Sequence, residues 1–583
     1  MSKTMKKNIY FIVAVLLLGV GACKKGSFLD AKQPSDLNEE STFTDSVRTI
    51  AFLTRSYVDV GFNFDANRWE GGGHPVLADE AIPVRFTGPQ NDAILMASGA
   101  LSASSTNVAK QVQVLNNWKT PWENIRRTNV FLLNVGRSPL SERLKKQLKA
   151  EARFLRAWYY FQLVKVYGGV PLIGDATYTA TDNIDLPRSN YGDCVDYIVK
   201  ECEAAAADLP SFSEQPQQDY GRITKGACMG LKSRMLLYAA SPLFNGGGIA
   251  NDAALKNIAG YATADPERWS KAAQAAKDII SSGSYTLMED NVTRMGYGFY
   301  NVFLKRYNNE YLFAAMKAPN REYENNLLPT SRTGSGKSSA PTQQLVDAFG
   351  MENGLPITDP ASGYNANDPY VKRDPRFGNS IIYNGSRFFL ASSNAMVAVN
   401  TFVGSSPDGP AATGPISIPG YYWRKMMIED GSGNTERCYP LIRYAEILLN
   451  YAEALNEYQG PIAEVYNTLI QVRKRAGILP GLNSNYGLKS GITKDEMRLV
   501  IQNERRVELA LEEHRVWDVR RWKIAEVTDN VMLKGMKITK TGNNFSYEVI
   551  DIKPHAFRPA FYLFPIPESE IAKSPKLLQN PGW

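Results

Sequence analysis

The chain has 583 residues, 66 Lys and Arg against 59 Asp and Glu, and a formal charge of +7, with 44% apolar and 21% charged side chains. That much apolar sequence supports a sizeable buried core. The near-balance of charge, without any block of five like charges, argues against a nucleic-acid partner.

The first element in chain order is a leader. Lys3, Lys6 and Lys7 precede an uncharged apolar run from Ile9 to Val20, and Val20-Gly21-Ala22-Cys23 comes next. This reads as a lipoprotein signal peptide over residues 1–22, because small residues before a single Cys suit a peptidase that cleaves after the thiol is acylated. Cys23 is then the lipidated N-terminus of a 561-residue mature chain whose charge is about +4. The run is too short to span a bilayer as a mature helix.

Helical punctuation dominates the mature chain. Leu148 to Tyr167 places Ala152, Leu155, Tyr159, Leu163 and Val166 at intervals of three and four, and Gly168-Gly169 and Pro171 stop it. Tyr191 to Leu209 and Thr224 to Ala240 read as two more helices, ended by Pro210 and by Ser241-Pro242. Trp269 to Ser282 carries small alanines on one face before Gly283, a glycine suited to a helix C-terminus. Pro440 to about Glu457 is predicted as a helix with Pro440 in its first turn, turned by Gly460-Pro461 into a partner reaching Ala476-Gly477. Thr493 to Glu496 is a capping box opening a helix through Arg505 and Leu511, which continues or restarts near His514. Pairs of this length suggest degenerate tetratricopeptide-like repeats.

Two irregular blocks, about 61–108 and 290–435, are rich in Gly, Pro, Asn, Ser and aromatics. Their aromatic content favours order over a solvated tail, and loops this long are commonly functional. Cys194, Cys202, Cys228 and Cys438 form no CxxC. The first two lie about 12 Å apart at helical rise, too far for a disulfide, so all four read as small buried apolar groups. His74, His514 and His555 are scattered without a zinc pattern, and no phosphate-binding loop or nucleophile elbow is present. No cofactor or metal is expected.

Several segments in order resemble one family: Cys23 with Phe28-Leu29-Asp30 and Pro34; Trp122 to Asn129; the helix from Ala152; Arg222 to Asn245; PTQQLVDAF from Pro341; YPLIRYAEILLNYAEALNE from Tyr439; VRKRAG from Val472; ERRVELALEEHRVWDVRRWK from Glu504; and YLFPIPESEI with the terminal QNPGW. The chain is similar throughout to the SusD/RagB-like outer-membrane nutrient-binding lipoproteins. The resemblance implies a mainly α fold: tetratricopeptide-like helix pairs as scaffold, a loop-rich variable region and few short strands, in one domain from 23 to 583. It implies a lipid-anchored, surface-exposed outer-membrane protein that binds a nutrient, most simply an oligosaccharide, and serves a SusC-like TonB-dependent transporter without acting as an enzyme.

The charged run from Glu504 to Arg521 reads as structural, since its acids and arginines share helix faces at ion-pairing distance. Asp79-Glu80 could supply acids for glycoside hydrolysis, but neighbours on an extended chain point to opposite faces. A sugar ring offers an apolar face and a hydroxyl edge, so its site needs flat rings and planar polar groups. The irregular blocks supply Trp69, Tyr297, Tyr300 and Tyr323 as platforms, with Asn67, Asp79, Arg85, Asn320 and Arg321 as hydroxyl partners. Trp118, Trp122, Trp158, Trp517 and Trp522 are assigned to the core. A lipid-anchored glycoside hydrolase, or a peptide or glycopeptide receptor on the same scaffold, are the alternatives.

Overall fold

Stacked helices build the scaffold of the computed structural model, which describes residues 38–64, 73–84, 92–104, 113–179, 181–246, 248–332, 339–413, 419–429 and 433–583. Helix α1 (Ser46–Val58) starts at Asp45, whose carboxylate accepts the Arg48 N–H at 2.8 Å. Helices α2 (Gln113–Asn134), α3 (Glu142–Tyr167), α4 (Tyr191–Ala206), α5 (Lys225–Ala240) and α6 (Glu267–Ser281) come after it, each packed on the next. On α3 the five expected inward residues, Ala152, Leu155, Tyr159, Leu163 and Val166, are fully buried. Burial on this scale stabilises by roughly 1.5–3 kcal/mol per large side chain. The helix begins earlier than its apolar face does, because Ser141 Oγ accepts the Leu144 N–H at 3.3 Å and starts a polar first turn.

Small residues let the layers meet closely. A Cβ on Gly226 of α5 would fall 1.8 Å from the Tyr285 hydroxyl, in the segment after α6. Gly283 at the end of α6 has φ 61°, as a C-terminal glycine should. The four cysteines in the described residues are buried and unbridged.

Strand β1 (Tyr311–Asn320), the short helix α7 (Pro375–Ser380) and strand β2 (Thr435–Arg443) come next; β1 and β2 pair antiparallel with irregular register. Pro440 therefore lies in a strand and not in a helix. It pairs with Ala314 beside a register shift, where a missing N–H is tolerated. The helix starts only at α8 (Tyr444–Gln459), which packs on α6, on α9 (Ala463–Arg475) and on α10 (Lys494–Glu508). Left-handed residues Leu511 (φ 63°) and Glu513 (φ 61°) then interrupt the chain, so α11 (Arg515–Arg521) is a separate helix. A long hairpin of β3 (Val531–Thr541) and β4 (Asn544–His555) lies beyond it.

The irregular blocks are tied down by short antiparallel pairings. Ala81–Pro83 pairs with Ser339–Pro341, joining the first block to the second, and Ile381–Ile382 pairs with Tyr422–Trp423 within the second. Trp118, Trp158, Trp517 and Trp522 are buried and Trp122 packs half-buried against the same core.

Between scaffold and loops lies a buried ion-pair network. Glu508 of α10 accepts from Arg443 Nη1 at 2.8 Å, from Arg376 Nη1 at 3.1 Å and from Arg475. Lys425 Nζ donates to the Glu508 and Ala510 carbonyls at 2.9 and 2.8 Å and to Glu512 Oε1 at 2.6 Å. Arg505 and Arg521 both reach Asp518. The charged run ties helices and strap segments together, as its spacing implies.

Candidate functional site

Within the second irregular block an open cleft of about 360 Å³ is walled by three aromatic rings. The local sequence explains their placement. Pro375 starts α7, and Asp374 caps it by accepting the Arg376 N–H at 2.9 Å, which sets Phe377 and Asn379 on one short turn. Two residues of strand then bring Tyr383 back over Phe377. The Phe377 and Tyr383 centroids are 5.0 Å apart at 16°, those of Tyr370 and Phe377 6.0 Å at 18°, and those of Tyr370 and Tyr383 4.6 Å at 34°. Phe377 and Tyr370 are buried and Tyr383 is half-exposed, so Tyr383 is the ring of this stack that a ligand can reach. Tyr547 of β4 closes the back edge-on to Tyr370 at 5.4 Å.

Polar groups rim the stack. Arg294 donates from Nε to Asn379 Oδ1 at 3.2 Å and forms a two-point pair with Glu429 at 2.8 and 3.1 Å. Arg424 Nε reaches the same carboxylate at 2.8 Å. Burial alone would raise the Glu429 carboxyl, and the two guanidinium groups outweigh it and hold it below its ordinary value. Asp374 pairs with Arg376 at 2.8 Å, and Arg376 also pairs with Glu504 at 2.7 Å, anchoring the cleft to α10. Both carboxylates are thus held in place by their guanidinium partners.

The residues expected to bind from the sequence fall into several places. Tyr297 is half-buried, and its centroid is 6.1 Å from that of Tyr300, with the Arg294 guanidinium over both rings at 4.6 and 4.9 Å. Arg294 lines the cleft, and Tyr297 is not among its lining residues. Tyr300 itself is fully buried and donates its hydroxyl to the Met427 carbonyl, so it offers no ring face to a ligand. Tyr323, 2% exposed, packs on Tyr439 at 4.9 Å and is likewise no platform. Tyr300 lies under the strap from Arg424 to Glu429, and Tyr323 packs against β2.

Asn320 and Arg321 are half-buried at the end of β1; Arg321 Nη1 donates to the Gly433 carbonyl at 3.2 Å. Asp79 is not a hydroxyl partner. It is buried and pairs with Arg515 at 2.8 Å and Arg506 at 2.7 Å, which hold its pKa at about 2 against the upward push of burial. Glu80 beside it points elsewhere, accepting the Leu511 N–H at 2.7 Å, so the two acids form no hydrolytic pair. Asn67, Trp69, Arg85 and Cys23 lie outside the described residues. The sequence reading passed over Tyr370, Phe377 and Tyr383; their only signal is aromatic spacing across a Pro-capped turn.

His74 contacts Glu513 at 2.9 Å, and His555 meets the Asp529 and Val76 carbonyls at 2.7 and 3.2 Å. No cluster of three or more His, Cys, Asp or Glu able to hold a metal occurs among the described residues.

Comparison with known proteins agrees with this architecture. Residues 300–583 match the sequence profile of the SusD family, and residues 27–237 match a profile described as starch-binding associating with outer membrane. A SusD-like protein of Formosa agariphila is 25% identical over 544 residues, covering 90% of this chain and 93% of that one. Among solved structures, a SusD-like protein from Bacteroides fragilis superposes with a TM-score of 0.74 at 25% identity, covering 93% and 98% of the two chains. A SusD-like carbohydrate binding protein from the same species gives 0.72 at 26%, covering 92% and 100%. With both profiles matched in order on a helical scaffold of this kind, the chain belongs to the SusD family.

Proposed function

We propose that the protein binds an oligosaccharide at the bacterial surface and delivers it, chemically unchanged, to a SusC-like TonB-dependent outer-membrane transporter. On this reading residues 1–22 are a leader, Cys23 carries the lipid anchor, and residues 23–583 form one binding domain. The observation that carries the reading is the ring stack of Tyr370, Phe377 and Tyr383 opening into a cleft rimmed by Arg294, Asn379 and Arg424. Rigid rings backed by other rings offer a sugar's C–H face a flat surface at little entropic cost, and the polar rim meets its hydroxyl edge. Family membership and the carbohydrate-binding relative from Bacteroides fragilis support the same ligand class. Asn67, Trp69, Arg85, Tyr297, Asn320 and Arg321 are proposed as further contacts for a longer chain.

Affinity electrophoresis and calorimetry against a polysaccharide panel test this. The native protein should be retarded by at least one glycan, and Tyr383→Ala should weaken that binding about tenfold, the loss expected when a central aromatic contact is truncated. Chromatography after prolonged incubation should show intact glycan. Failure to bind any polysaccharide, or release of shorter products, would overturn the reading.

A further inference from the structure

The charge around the cleft is unbalanced. Arg373 lies under the ring stack, 6% exposed, with its guanidinium carbon 4.9 Å from the Phe377 centroid. Its Nε donates to the Gly350 carbonyl at 3.2 Å, its Nη1 to Pro369 at 2.9 Å, and its Nη2 to Val346 at 2.6 Å and Phe349 at 2.5 Å. Four carbonyls satisfy its donors without cancelling its charge. Among the described residues, no carboxylate stands within ion-pair distance of it; Asp347 and Asp374 act on it only from farther away, and Asp374 is already held by Arg376. A guanidinium stays charged even when burial lowers its pKa.

Next to it, at the mouth of the same cleft, Lys372 is exposed and has φ 54°. A lysine seldom adopts this left-handed backbone, and such strain persists only where surrounding structure enforces it. Here the Glu352 N–H donates to the Lys372 carbonyl at 2.8 Å, and Met351 pairs with Arg373. Arg294 and Arg424, which also line the cleft, share the single carboxylate of Glu429. Among the described residues, the cleft therefore has two cationic groups without an ion-pair partner, one buried and one exposed, against Glu352 at its lip and Asp374, which is already paired with Arg376.

Resting on the saccharide-binding function proposed above, we propose that this cleft selects an acidic saccharide: a sugar bearing a carboxylate or a sulfate, its ring against Tyr383 and its anion directed to Lys372. An exposed lysine alone gives little net attraction. The buried charge of Arg373 is screened far less, so the two together favour an anion over its uncharged counterpart.

The test compares matched ligands by calorimetry at 50 and 500 mM NaCl: an oligogalacturonide against its methyl ester, and a sulfated galactan against its desulfated form. The two pairs distinguish carboxylate from sulfate recognition. The native protein should bind at least one acidic form about tenfold more tightly than its neutral counterpart, and the higher salt should shrink that ratio. Lys372→Gly, which removes the charge at a backbone position glycine accepts freely, should cut the ratio about fivefold, and Lys372→Arg should restore it. Neutral forms bound as tightly as acidic ones, or a ratio indifferent to Lys372→Gly, would overturn the selectivity while leaving saccharide binding in place. Failure of every saccharide, acidic or neutral, to bind the native protein would overturn both.

Discussion

Glu80 and Asp79 are adjacent carboxylates with opposite fates. Asp79 meets two guanidinium groups and stays ionised, whereas Glu80 is buried with a backbone N–H as its main partner, and burial pushes its pKa up to about 7. The fold therefore prefers Glu80 protonated. Because its folded value exceeds the unfolded one near 4.5, its stabilising contribution is complete below pH 4.5 and is lost as pH rises through 7. Thermal melts should show it: Glu80→Gln, which keeps an acceptor for Leu511 N–H without a charge, should narrow the stability gap between pH 5 and pH 8 by up to about 3 kcal/mol. An unchanged gap would exclude Glu80 as its source. The same residues mark what a sequence hides. Tyr300, Tyr323 and Asp79 have the composition of a sugar site, yet each is buried by packing from distant segments: the strap at 424–429 over Tyr300, Tyr439 of β2 against Tyr323, and the arginines 506 and 515 on Asp79. Composition identifies ring and carboxylate chemistry; only tertiary contact decides which ring faces water.

Elements were legible wherever periodicity and caps agreed. Helices α3 to α6 and α8 to α10 lie close to their expected ranges because their signals are local: a 3.6-residue apolar repeat and a stop residue. Pro440 misled because a proline fits either a first helical turn or an irregular strand, and the pairing that decides comes from β1, more than a hundred residues away. The cleft was illegible for a related reason. Tyr370, Phe377 and Tyr383 sit on a turn, a six-residue helix and a strand end, which share no period. The capping box of α10 gives an element-scale check. Thr493 Oγ1 accepts the Glu496 N–H at 3.2 Å, and Glu496 returns the bond by accepting the Thr493 N–H at 2.7 Å. Thr493→Ala should cost about 1 kcal/mol in a denaturant titration, with no change in saccharide affinity. A loss several times larger would mean that the cap supports the ion pairs at the other end of α10 and not only its own first turn.

For the whole molecule, the question is what would hold a chain of this size at a membrane on the function proposed above. None of the helices among the described residues is long and apolar enough to cross a membrane. On the proposed cleavage after residue 22, a charge of about +4 over 561 residues would give little attraction to an anionic surface at physiological salt, where exposed charges are screened within about 8 Å. If the proposed lipoprotein processing holds, the acylated thiol of Cys23 supplies most of the membrane affinity, since each buried methylene contributes about 0.8 kcal/mol. Cys23→Ala, expressed without a transporter partner, should then move the protein from the membrane pellet to the soluble fraction, while its saccharide affinity in solution stays that of the native chain. Persistence of the variant in the pellet after a high-salt wash would show that another part of the chain holds it there, and lipid tethering would have to be abandoned.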